Sequence, residues 1–293
     1  MSDLNNIFKT QPRWIAEDKR QTRPVVVESP GKPGGPSLSY NINADFMFDR
    51  HRVMLSPELI KGKSILDIGS LLGATGAWCL ANGAKSYTGL EAQQDFVDHS
   101  NNLFAEYFPN GGWENITEAI ETFETDRKWD IVIASGVLYA CFDSFDFIKR
   151  VSSWANETVI FDTVHPFNGY RRLFPDASDD DRLRVSTELS IVQPSERIRM
   201  NIAALGHSVR IAASIVSVRA LALMMKNQGF DYDPLLYSQA ETEMPYYYDI
   251  RQHNRYMAKF FVSNVGANLF EKALEDPHNF EVASVWNGNS TPR

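Results

Sequence analysis

From residue 63 onward, short apolar runs alternate with longer stretches whose apolar positions recur at helical spacing. Residues 64–68 predict a short buried strand ending in a glycine-bearing turn, and a helix over 75–82 follows, closed by Gly83. The same alternation predicts strands over 86–90, 113–117, 129–135 and 158–163, with helices over 94–107 and 145–154. Strands alternating with helices imply an α/β, doubly wound architecture: a parallel sheet covered on both faces. The pattern breaks at 166–213, where the chain turns polar, arginine-rich and partly helical. It resumes with a helix over 217–228 capped by Gly229, a short strand over 232–237 and a last strand over 256–263.

Ahead of residue 63 the pattern is weak. Pro30, Gly31, Pro33, Gly34, Gly35 and Pro36 form a cluster of breakers, residues 1–20 read as a flexible arm, and a helix is expected from about Phe48. The chain thus divides into an N-terminal extension over 1–60, placed to fold over the mouth of the sheet, and a domain over 61–293. Past residue 267 one short helix and a fraying tail are expected.

With 43% hydrophobic and 23% charged residues among 293, the composition is globular and the core needs no disulfides. Neither Cys79 nor Cys141 belongs to a CxxC pair, so no metal cluster or disulfide framework is expected and a reducing compartment is. No signal-like apolar core opens the chain, and the apolar-rich stretch 202–225 is interrupted by His207, Arg210 and Arg219, which predicts buried helices rather than a membrane span. A cytoplasmic location follows as the expectation. A net charge of −8 argues against general nucleic-acid binding.

The candidate chemistry begins in the first strand–turn–helix unit, Asp67-Ile68-Gly69-Ser70-Leu71-Leu72-Gly73. Gly69 permits a tight turn and a close ligand approach, and the next helix offers unpaired amides and a positive dipole end. Glu91, at the tip of the second strand, can accept both hydroxyls of a ribose, as any nucleoside cofactor requires. Two details favour S-adenosylmethionine over a dinucleotide. Leu71 replaces the middle glycine of a pyrophosphate loop, and Asp67 would repel a pyrophosphate while suiting an ammonium and a sulfonium.

On these residues the chain resembles the class I S-adenosylmethionine-dependent methyltransferases, over about 63–165 and 215–263. The resemblance implies a Rossmann-like sheet of seven strands, the last antiparallel. It implies that Asp67, Gly69, Ser70 and Gly73 meet the methionine end of the donor, and that Glu91 and Ala92 meet the ribose. Glu118 and Ala119 would flank the adenine, and Ser135 and Gly136 the methyl group; the product would be S-adenosylhomocysteine. Leu71 departs from the family's usual glycine.

In such sheets ligands lie beyond the carboxyl ends of the strands. The candidate catalytic residues are therefore His165, a base with a near-neutral pKa, together with Tyr139 and Asp143. His165 could equally hold the loop after the fifth strand, Asp143 could equally cap a helix, and Asp162 is a further neighbour. The insertion 166–214 is expected to be a helical lid over the acceptor or, alternatively, an oligomer interface. A small-molecule N or O acceptor is the leading expectation. A non-catalytic nucleoside-binding protein is a further alternative.

A second resemblance is narrower. Gly136-Val137-Leu138-Tyr139, with Ser39-Tyr40-Asn41-Ile42-Asn43 upstream, is similar to the tRNA wobble-uridine carboxymethyltransferases, which use a carboxylated donor. It implies that Tyr139, Lys32 and Arg255 hold the extra carboxylate and that tRNA is the substrate. Against it, Ala140-Cys141 stands where that family has His-Arg, and the region before the sheet is shorter.

Overall fold

The computed structural model describes residues 6–16, 25–27, 38–40, 44–141, 143–202, 207–244, 248 and 255–263. The chain opens with two short helices, α1 (Ile7–Thr10) and α2 (Arg13–Ala16), and an antiparallel strand pair, β1 (Val25–Val27) and β2 (Leu38–Tyr40). Helices α3 (Ala44–Met54) and α4 (Pro57–Ile60) lead into the main sheet. Its first half runs β3 (Ser64–Ile68), α5 (Ala74–Ala81), β4 (Ser86–Glu91), α6 (Gln94–Tyr107) and β5 (Trp113–Thr117). Then come β6 (Trp129–Ser135), α7 (Ser144–Ser153) and β7 (Ala155–Val164).

The insertion holds α8 (Phe167–Leu173), α9 (Asp179–Glu188), β8 (Ile191–Ile202) and β9 (His207–Ile215). The chain closes the sheet with α10 (Val218–Asn227), β10 (Phe230–Asp233), α11 (Pro234–Glu243) and β11 (Arg255–Val262).

The seven-stranded sheet has the order β10-β11-β7-β6-β3-β4-β5. β3 through β7 pair in parallel, whereas β11 runs antiparallel to both of its neighbours. This is the Rossmann-like methyltransferase fold. Alternation along each strand splits the core in two. Ile65, Ile133, Ile160 and Met257 meet residues of α1, α3, α5, α6 and α11 on one face. Leu66, Val132, Phe161 and Phe260 meet α7 and α10 on the other. Among the described residues no helix is long and apolar enough to cross a membrane.

Four expectations are corrected. Residues 6–16 are not a loose arm: Phe8 and Trp14 are fully buried, Trp14 lying edge-on against Phe104 and Phe8 stacking on Trp78. The helix expected from Phe48 begins at Ala44. The strand expected over 232–237 ends at Asp233, whose carboxylate accepts a 2.9 Å bond from Leu235 N and caps α11, with Pro234 as its first residue. The insertion is helical only in its first half: β8 and β9 pair antiparallel, and β9 replaces the first part of the helical stretch expected over 202–225, whereas α10 bears out the rest. Residues past 267 lie outside the described ones.

Candidate active site

The turn after β3 is built from left-handed backbone: Gly69, Leu71 and Gly73 have φ of 71°, 50° and 82°. A Cβ on Gly69 would lie 2.2 Å from Val137 Cγ1, and one on Gly73 would lie 2.4 Å from the Phe104 ring. The bareness of Gly69 admits the loop after β6, and that of Gly73 lets α6 pack close. Leu71 has no such licence, and an L-residue held left-handed costs about 1–2 kcal/mol. A glycine there would carry no such strain.

Hydrogen bonds from β4 hold this strained turn. Gly69 N and Ser70 N both donate to Leu90 O, at 2.8 and 3.1 Å. Glu91, buried at the strand tip, accepts from Leu71 N at 3.1 Å through one oxygen and from Gln93 N at 3.0 Å through the other. A carboxylate offers about four acceptor positions. About two thus remain for outside donors such as a pair of vicinal hydroxyls, and the donor set fits a ribose.

Asp67 lies on β3 just before the turn, buried, and accepts a 3.0 Å bond from the Tyr87 hydroxyl. Burial pushes its carboxyl up to about 7, against the opposing effects of Tyr87 and the Arg50 charge. A cation arriving beside it would favour the ionised form, so this position fits an ammonium group.

At the ends of β6 and β7 lies a polar cluster of which sequence reasoning named Ser135, Asp162 and Arg255 but not Arg50 or Tyr248. Asp162, fully buried, accepts from Arg50 Nε at 3.0 Å, from Arg255 Nη2 at 2.8 Å and from the Tyr248 hydroxyl at 3.1 Å. Arg50 Nη2 also reaches Ser135 Oγ, opposite Asp162 in the ladder. Burial alone would raise the Asp162 carboxyl, but Arg255 and Arg50 hold it at about 2. His51, next to Arg50 on α3, donates from Nδ1 to Met47 O at 2.6 Å, which leaves Nε2 to accept from the Thr75 hydroxyl at 3.2 Å. Burial, then the Arg50 charge, lower it to about 3, so it is a neutral strut from α3 to α5. Arg50 and His51 carry no local signal in sequence. Asp162 did, as an acid inside an apolar strand.

The remaining predicted residues divide. Ser135 and Gly136 close β6, Gly136 N bonding Asp162 O at 2.8 Å. Glu118 N bonds Glu91 O at 3.1 Å, which sets Glu118 and Ala119 beside the tip of β4, and Ala92 directly follows Glu91. Tyr139 is half-buried in the 3₁₀ turn Leu138–Ala140, its hydroxyl 3.8 Å from where a Cβ on Gly136 would sit. Lys32 lies outside the described residues.

Asp143 is not in a catalytic posture: exposed, it caps α7 by accepting from Phe145 N at 2.9 Å and Asp146 N at 3.2 Å. Nor is His165 built as a base. It is fully buried, burial lowers it to about 3, and its Nδ1 accepts a 3.3 Å bond from Phe167 N. The neutral ring then carries its proton on Nε2, and its one lone pair, on Nδ1, is engaged by Phe167 N. It lies edge-on to Tyr256, on the α10 side of the sheet.

No protein-family profile matches the chain, and no curated protein matches it. Among solved structures, one from Listeria monocytogenes, described as an S-adenosylmethionine-dependent methyltransferase, is 15% identical with a TM-score of 0.52, covering 75% of this chain and all (100%) of its own. At that identity the likeness shows the fold alone. The magnesium protoporphyrin IX methyltransferase of Synechocystis with S-adenosylmethionine bound is 12% identical, with a TM-score of 0.49, covering 90% of this chain and 99% of its own. A Mesorhizobium loti S-adenosylmethionine-dependent methyltransferase is 14% identical with a TM-score of 0.47, covering 72% and 95%. Neither of these two carries any further argument.

Proposed function

We infer that the chain is an S-adenosylmethionine-dependent methyltransferase acting on a small-molecule acceptor, with a neutral nitrogen as the favoured atom. The observation that carries the donor half is the Glu91 carboxylate, folded back onto the turn of Gly69 and Gly73 with acceptor capacity to spare. Asp67 would meet the donor's ammonium, Glu91 its ribose, and Glu118 and Ala119 its base. When bound, the donor supplies a sulfonium-activated methyl group at the end of β6, beside Ser135 and Gly136.

Support for a nitrogen acceptor comes from the lack of a competent base among the described strand-end residues. Asp143 is a helix cap, the lone pair of His165 is engaged by Phe167 N, and Asp162 is paired with two arginines. An amine already neutral in the pocket needs only alignment with the sulfonium, which is a positioning task. Tyr139 and the insertion would supply that alignment and exclude water. A carboxylated donor and a tRNA substrate draw less support. Ala140-Cys141 stands where the carboxymethyltransferases have His-Arg.

Calorimetry with S-adenosylhomocysteine tests the donor half. Saturable binding is expected, weakened about tenfold or more by Glu91→Ala; absence of heat from the wild type sinks the reading. Transfer of radiolabelled methyl to a metabolite pool tests the acceptor half. Label in the low-mass fraction supports it, and label in RNA overturns it.

A further inference from the structure

Two buried N–H donors where the insertion begins have no hydrogen-bond partner: Nε2 of His165 and Nη1 of Arg171. Both residues meet Phe167, the first residue of α8. His165 Nδ1 accepts from its backbone N at 3.3 Å, and the Arg171 guanidinium lies over its ring, 5.5 Å from the centroid. Phe167 is fully buried, and only His165 and Pro166 separate it from β7. So α8 starts at the carboxyl edge of the sheet, where ligands lie in folds of this kind. The two bare donors are not equal. His165 is neutral, whereas Arg171 is charged, and a charged group left unpaired in the interior is the costlier of the two. The other amino group of Arg171 is held in place: Nη2 donates to Asp179 on α9 at 3.2 Å. Asp179 also takes Nη1 of Arg182 at 2.7 Å. Arg182 spends its remaining nitrogens on the carbonyls of Phe174 and Pro175. Two guanidiniums therefore share one carboxylate, and Arg171 is the one with an N–H to spare.

We propose that Arg171 binds an oxyanion of the acceptor, a carboxylate or a phosphate, so that the substrate is a small amine that also carries an acid. The assignment rests on the methyltransferase reading and narrows its acceptor class. Guanidinium suits an oxyanion because its N–H donors form charge-assisted hydrogen bonds and the group stays charged when desolvated. Here Nη1 makes the new bond while Nη2 keeps Asp179, so the helix pair α8–α9 holds the cation still. The acid pairs a buried charge that is otherwise left bare, which makes acceptor binding favourable where an uncharged analogue gains nothing. The amine end is left to meet the methyl group at the end of β6, the strand beside β7 in the sheet.

The test follows the radiolabelled methyl product that the wild type forms from a metabolite pool. At alkaline pH, where amines are neutral, an anion exchanger should retain that product. Phosphatase treatment abolishes the retention if the acid is a phosphate monoester and leaves it if the acid is a carboxylate. In a dilution series of the same pool, Arg171→Gln should need about 10- to 100-fold more of it for half-maximal transfer, with the maximal rate little changed. Arg171→Lys, which keeps the charge without the fork, should fall between Gln and the wild type. Unchanged binding of S-adenosylhomocysteine by calorimetry reports that the variants are folded. Retention is read on the wild type and decides the matter even where a variant fails to fold. A product that the exchanger lets pass, or an unchanged half-saturation in Arg171→Gln, overturns the assignment. A wild type that transfers no label to the low-mass fraction overturns the methyltransferase reading itself, a result distinct from failure at Arg171.

Discussion

The hydroxyl of Tyr87 on β4 donates a 3.0 Å hydrogen bond to the carboxylate of Asp67 on the neighbouring strand β3. The carboxyl sits at about 7 against an ordinary 3.8, because burial outweighs that bond. Between these values the folded chain keeps a proton that the unfolded chain has lost. Asp67's contribution to stability is complete below about pH 4 and is lost as pH rises through 7. Asp67→Asn should remove this slope, so that the variant gains on the wild type from pH 5 to pH 8. Urea unfolding at several pH values measures it; a constant difference between the two proteins would refute it.

Leu71 holds φ at 50°. Leu71→Gly should relieve about 1–2 kcal/mol of left-handed strain and return about 0.5–1 kcal/mol of it as extra chain entropy. The expected outcome is a protein as stable as the wild type or about 1 kcal/mol more so. A loss of stability on denaturation would show that the leucine side chain holds the turn.

Trp14 is fully buried against Phe104, Tyr107 and Phe108 of the α6 region. Trp14→Ala should cost about 3–5 kcal/mol, the range for a core aromatic. A midpoint of urea unfolding that stays put would mean that the first helices are dispensable.

His165 should remain a neutral ring protonated on Nε2 from pH 5 to pH 8, since burial lowers it to about 3. Its stabilising contribution is present above the ordinary value of 6.5 and is lost as pH falls through 3. Nitrogen-15 NMR of the imidazole reads both tautomer and titration. A transition near 6.5, or a proton on Nδ1, contradicts the geometry and would reopen a role as base.

The strands that read clearly in sequence are those buried on both faces. Residues 129–135 and 64–68 form β6 and β3 with the expected bounds, because apolar runs each closed by a glycine, Gly136 and Gly69, leave little choice. The helix over 94–107 was equally legible from its spacing, and α6 has those ends. The error at 232–237 was avoidable: Asp233-Pro234 is a cap followed by a first-turn proline, a helix start that aromatic β-propensity at Tyr232 and Tyr237 masked. In the candidate site, Glu91 and Asp67 were visible because each ends an apolar strand. Arg50 was not, because its role depends on α3 crossing to a strand end 112 residues away in sequence. The roles of Asp143 and His165 turned on hydrogen bonds accepted from local backbone amides, two and one respectively, which residue type alone does not reveal.

The reversal of β11 determines more than the order of the sheet. Parallel strands bring only their finishing residues to the ligand edge, but an antiparallel one brings its first: Arg255 opens β11 and stands opposite Val164, where β7 finishes. Whatever chain leads into that strand arrives at the same rim where the other strands depart. A substitution at Arg255 therefore alters that rim at the first rung of β11 and leaves the later rungs in place.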